Sequence, residues 1–173
     1  LRPGANLARA DLSGAMLPEV DLSLARLVEA DLSMANLAHG YLTDAMLRRA
    51  TLRRADLTKV RMSKANFTRA NLFEAILVGT DMSETVLVGA SLVGVDLTGA
   101  DLSRANLAGA NLTGAILSRA EMWGANLAGA NLAGATLRRT DLWGANLRGA
   151  NLSRADLTEA NLSGVEADGV DWY

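Results

Sequence analysis

The chain has 173 residues and a formal net charge of −2, and half of it is apolar while only 4% is aromatic. A core must therefore be built from small and medium aliphatic side chains, and the net charge alone points to no polyanionic partner. Cysteine is absent and histidine occurs once, which excludes a disulfide framework, a thiol nucleophile and a multi-histidine metal site.

From the first residues the chain enters a repeat. "LRPGANL" at Leu1 to Leu7 has no capping helix, no signal peptide is visible, and no apolar run approaches the ~20 residues of a membrane span. A cytoplasmic location is the expectation. The start at Leu1 rather than Met leaves open that this is a fragment of a longer chain.

Stepping by five from Leu7 to Leu162 meets Leu, Met or Phe at all 32 positions, 28 of them Leu. The exceptions are Met62, Phe67, Met82 and Met122. Two residues before each stands a small residue, Ala in 25 of 32 cases, and Asn or Asp dominates the position between. The unit reads A-(N/D)-L-x-x without an insertion. Period five suits neither standard element. Five residues turn an α-helix by ~500°, so the leucines would spiral around it. Five is odd, so on a flat strand they would alternate faces. A solenoid makes every fifth residue equivalent, with Leu and Ala inward and the other three outward. Departures from Ala fall at Val20, Gly40, Val60, Thr80, Thr85, Val95 and Thr140, five of the seven at multiples of 20. That second period predicts four sides per coil, about eight coils and a rod of roughly 40 Å at the ~4.8 Å spacing of strands.

These residues, for example "ADLSRANLAGANLTGAILSRA" at 100–120, resemble the pentapeptide-repeat family. The resemblance implies an all-β, right-handed quadrilateral parallel β-helix. It also implies a set of non-enzymatic roles. Members include cyanobacterial proteins of unknown function, quinolone-resistance proteins that mimic DNA and bind gyrase, and domains of larger chains such as secreted effectors. One domain over 1–173 is expected, regular over 5–164.

The middle of the chain is basic. Residues 1–47 carry three basic and six acidic side chains, residues 48–70 eight and one, and residues 71–173 six and twelve. If residues twenty apart are stacked, outward positions form columns about 5 Å apart along the rod. The basic segment then becomes a belt around one coil. Glu29 lies below Arg49, Glu74 above Arg54 and Asp81 above Arg61, and the column Asp44, Lys64, Glu84, Arg104 alternates in sign. What is left is a secondary positive corner of Arg48, Arg49, Arg53, Arg54 and Arg69. A belt one coil high tracks a phosphate backbone poorly, so nucleic acid is not an expected partner. His39, between Glu19 and Lys59 in its column, reads as a surface histidine.

In the second half, thirteen of sixteen glycines lie between Gly79 and Gly169. All thirteen sit where a type II corner needs positive φ. Type I corners are expected in the first half, where Arg, Glu and Lys fill that position, and more type II corners later. One column stacks Asp81, Asp101, Glu121 and Asp141 in succession, and two residues on, on the same side, stand Trp123 and Trp143. Tryptophan is a favoured interface anchor. This acidic, Trp-bearing side is the best candidate surface for a protein partner.

At the C-terminus "VEADGVDWY" relaxes the repeat, and Trp172 returns to the inward register as a candidate plug. The N-terminal coil looks open, so end-to-end self-association is a further expectation. With no cleft and no convergent polar groups, no enzyme, no small-molecule substrate and no cofactor is expected. The reading is an interaction scaffold; a DNA-mimic gyrase inhibitor and a passive spacer within a larger protein are the alternatives.

Overall fold

The computed structural model describes residues 1–173. Thirty parallel bridges, from Asn6–Arg26 to Asn151–Asp171, all join residues twenty apart. Each coil is therefore four pentapeptides, and the columns inferred from the sequence are real stacks. The first side is taken as residues 5–9, the second as 10–14, the third as 15–19 and the fourth as 20–24, each with its equivalents twenty residues on.

Why five residues make one side is visible in the hydrogen bonds. In the pentapeptides of the interior coils the Asn/Asp-position, Leu-position and second turn amides bond to neighbouring coils, as in Arg26 N to Ala5 O, Leu27 N to Met46 O and Glu29 N to Arg48 O. The amide of the next small residue closes the corner, as in Ala10 N to Leu7 O at 3.1 Å. Four of five amides are thus satisfied by backbone. The fifth belongs to the first turn residue, and it explains the Asn/Asp preference. From Asn6 to Asp171, each Asn or Asp before the inward Leu accepts that amide on its Oδ1, in 21 pentapeptides. This is the Asx-turn geometry that a short carboxylate or carboxamide can reach and Glu cannot.

Corner geometry departs from the expectation. All 34 corners from Gly4 to Gly169 have positive φ at the second turn residue, nineteen of them at non-glycine residues such as Arg9, His39, Arg69 and Glu159. A type I turn needs φ near −90° there, so the type I corners expected in the first half do not occur. The ladder imposes the reason. From Gly4 to Gly149 each second turn amide bonds to the coil above, so the corner must repeat its shape whatever residue fills it. Glycine lowers the cost of the conformation without deciding it.

The interior is one continuous stack. Forty-nine buried residues, nearly all Leu and Ala with Phe67, Met62, Met82 and Met122 in the Leu register, form a single cluster. Three buried threonines replace Ala, and their hydroxyls donate to backbone carbonyls: Thr80 to Leu77 at 2.8 Å, Thr85 to Met82 at 2.7 Å and Thr140 to Leu117 at 2.7 Å. No buried side-chain polar atom lacks a partner. The ends are thinner. Leu7, Leu12, Leu17 and Val20 at one end, and Leu157, Leu162, Val165 and Val170 at the other, are only partly buried. Trp172 lies in register above Leu152 and is 40% exposed, and Tyr173 is 98% exposed.

Candidate functional site

The acidic column is assembled by the ladder itself: Arg61, Asp81, Asp101, Glu121, Asp141 and Asn161 are joined by successive parallel bridges along the fourth side. Three of its acids have a local task. Asp81 accepts the Ser83 amide at 3.1 Å and its hydroxyl at 2.7 Å, Asp101 the Ser103 amide at 2.8 Å, and Asp141 the Trp143 amide at 3.0 Å and the Asn161 amide group at 2.8 Å. Glu121 makes no such bond and is exposed. It is the one acid of the four that turn chemistry does not explain.

Two residues on, Trp123 is held rather than free. The Arg104 guanidinium lies 4.7 Å from the centre of its ring, a cation–π contact. Ser103, one coil below Trp123, is the one outward-register side chain that is buried, at 6% exposure. Trp123 stands directly above it in the column. Trp143 is 56% exposed. The fourth side thus presents Glu121, a fixed indole and an open one on adjacent coils. The sequence placed Arg104 in an alternating-charge column and not among the candidate site residues. Its place one coil below Gly124, the residue that follows Trp123, was the available signal.

The same guanidinium corrects an expectation. The alternating column Asp44, Lys64, Glu84, Arg104 forms no ion pair within 4.0 Å, and neither does Arg61 with Asp81. Arg104 turns to Trp123, and Arg61 lies 5.6 Å from the Tyr41 ring centre. Elsewhere the column pairs do form. Arg54 meets Glu74 at 2.7 Å, Arg9 meets Glu29 at 2.9 Å, Arg49 meets Glu29 at 3.6 Å and Arg139 meets Glu159 at 2.6 Å. The hydrogen bond from Arg9 holds the Glu29 carboxyl below its usual range, and Arg139 does the same for Glu159. In the positive corner Arg53 lies 5.0 Å from the Phe73 ring centre, while Arg48 and Arg69 have no carboxylate partner.

His39 is exposed and lines an open depression with Glu19, Tyr41, Lys59 and Arg61. No group of three His, Asp or Glu side chains is arranged to hold a metal ion. No helix is long and apolar enough to cross a membrane.

The Pentapeptide repeats family matches in eight copies, over 5–40, 25–63, 41–72, 65–104, 105–144 and 137–171. The chain belongs to the pentapeptide-repeat family. Members of this family form β-helices, as the stacked coils here do. Among solved structures, the chain is similar to HetL, a pentapeptide repeat protein involved in heterocyst differentiation regulation from the cyanobacterium Nostoc sp. strain PCC 7120. The identity is 34% over 95% of this chain and 87% of that one, with a TM-score of 0.62. QnrB1, a plasmid-mediated fluoroquinolone resistance protein, shares the fold with a TM-score of 0.77, at 21% identity over 97% of this chain and 90% of that one. No curated protein matches the chain.

Proposed function

We propose that this pentapeptide-repeat protein is a non-enzymatic interaction scaffold that presents the fourth side of a rigid rod to a protein partner. The observation that carries the reading is Trp143, 56% exposed beside a second indole fixed by Arg104. A large rigid aromatic held in the open is a binding anchor at low entropic cost. Glu121, with Asp81, Asp101 and Asp141, would set the charge around it and favour a partner with basic groups at the rim. HetL, the 34% identical relative, is involved in a regulatory process, which accords with a role by contact. Within this reading the coil is right-handed and quadrilateral, as the family resemblance implies, and residues 1–173 act as one domain.

The test is affinity capture with the wild-type chain against a Trp123→Ala/Trp143→Ala variant. Specific partners should drop out with the variant. An unchanged partner list would remove this surface from consideration. The likeness to QnrB1 is one of fold, and absence of inhibition in a gyrase supercoiling assay at micromolar protein is the expected result.

A further inference from the structure

Two depressions on the rod are lined by three arginines each, and they differ in a way that matters. On the third side, Arg119, Arg138 and Arg139 line an open volume of about 320 Å³ with Thr98 and Ser118. Two of those guanidiniums are already neutralised, Arg138 by Asp156 at 3.2 Å and Arg139 by Glu159 at 2.6 Å. On the first side, Arg48, Arg49 and Arg69 line about 260 Å³ with Thr68 and Val88. Here the only carboxylate is Glu29, which reaches Arg49 at 3.6 Å and is engaged more closely by Arg9 at 2.9 Å. Arg48 and Arg69 face the depression with no anion.

The ladder explains why the depression is open. Arg48 and Arg49 stand one coil below Thr68 and Arg69, and the next coil up carries Val88 and Gly89 in those columns. Gly89 has no side chain to fill the space, and the Arg69 Cγ lies 3.7 Å from where its Cβ would be. The Thr68 hydroxyl is committed to Asn66 at 2.7 Å. The donors into the notch are therefore guanidiniums, planar forks whose geometry suits tetrahedral oxyanions.

We propose that Arg48, Arg49 and Arg69 form a binding site for a compact multivalent phosphate, such as a di- or triphosphate group. The volume equals that of roughly nine waters, more than one tetrahedral oxyanion occupies. The cations stop after two coils, bounded by Val28 and Glu29 below and Val88 and Gly89 above. A nucleic acid would call for positive charge continuing along its backbone, so a short polyphosphate fits better than a strand. This site is independent of the tryptophan side.

The test is calorimetric titration of the full chain with sodium tripolyphosphate at 50 and 150 mM salt. One saturable site is expected, weaker at the higher salt. The variant Arg48→Ala/Arg69→Gly should bind at least tenfold more weakly. The matched variant Arg119→Gly/Arg138→Ala on the third side should stay within twofold of wild type. Both variants use residues that other coils already carry at these positions, Ala108 and Gly89 on the first side, so folding should survive, and a superimposable circular dichroism spectrum checks it. No saturable binding at 50 mM salt, or equal weakening by the two variants, overturns the proposal. So would tighter binding of a single-stranded oligonucleotide at equal phosphate concentration, since that would assign the arginines to nucleic acid.

Discussion

The nineteen non-glycine residues held at positive φ make a quantitative prediction. A left-handed conformation costs an L-residue roughly 1–2 kcal/mol. Introducing glycine relieves that strain but adds unfolded-state entropy, which costs about 0.4–1 kcal/mol. The balance is a gain of about 0.5–1 kcal/mol per corner. His39 (φ 61) and Lys64 (φ 60) are exposed and make no ion pair, so His39→Gly and Lys64→Gly lose little else. The reverse experiment is cleaner. A Cβ added at Gly109 or Gly129 would meet nothing within 4 Å, so Gly109→Ala and Gly129→Ala can act only through the backbone. Each should destabilise by about 0.5–1 kcal/mol. Urea unfolding followed by tryptophan fluorescence and circular dichroism together reads the change. With a urea slope of ~2 kcal/mol per M, each substitution should move the midpoint by about 0.3–0.5 M, upward for His39→Gly and Lys64→Gly and downward for the alanines. If Gly109→Ala and Gly129→Ala raise the midpoint, the corners do not store this strain and the reasoning fails.

Three further outcomes follow from particular contacts. Gly40→Ala restores the residue most common at that position, yet its Cβ would lie 2.8 Å from the Leu37 carbonyl oxygen and 2.9 Å from that of Val20; a backbone shift is forced, and a loss of about 1–3 kcal/mol should appear as a lower urea midpoint. Leu102 is wholly buried, and Leu102→Arg should unfold the coils that touch it; hydrogen exchange should lose protection around residues 82–122, and undiminished protection there would contradict a stack held by nearest neighbours. Acid should loosen the ends first. The carboxyls held below their usual range are Asp11 and Asp21 by the Ser13 and Ser23 hydrogen bonds, Glu29 by Arg9, Asp156 by Thr158 and Glu159 by Arg139. A depressed folded-state value means stability present at neutral pH and lost as pH falls through that value. All five lie in the outermost two coils at either end, so hydrogen exchange at decreasing pH should show residues 5–30 and 150–171 losing protection before the middle, and simultaneous loss throughout would refute this.

Period five, read against helix and strand geometry, was enough to place Leu and Ala inward, to stack residues twenty apart and to bring Asp81 through Asp141 into one column. Corner type was not legible, because residue preference reports the cost of a conformation while the inter-coil amide bond dictates the conformation itself. Ion pairing was half legible. A column fixes which backbones are neighbours, but a long side chain chooses among several. Arg54 took the carboxylate above it, whereas Arg61 and Arg104 settled on aromatic rings instead. The Asn/Asp preference was plain in the sequence, but its cause, one amide per pentapeptide left over by the ladder, needed the hydrogen bonds.

That cause changes what an acidic column can mean on this fold. At the position before the inward Leu, aspartate and asparagine perform the same bond with the same oxygen, so the turn accepts either and charge there is free to vary. From Asp81 to Asp141 along the fourth side it stays negative: Asp81, Asp101 and Asp141 are all charged where Asn106, Asn126 and Asn146 serve the first side. Stacked like charges cost stability that asparagine would spare. Glu121 sharpens the point, since it keeps the charge and gives up the turn bond. Local structure therefore accounts for a short polar acceptor in this column but not for its sign, and the sign is retained on the side that also holds both stacked tryptophans. The two departures from what the coil itself needs coincide, and that coincidence supports the partner surface more strongly than either acid or indole does alone.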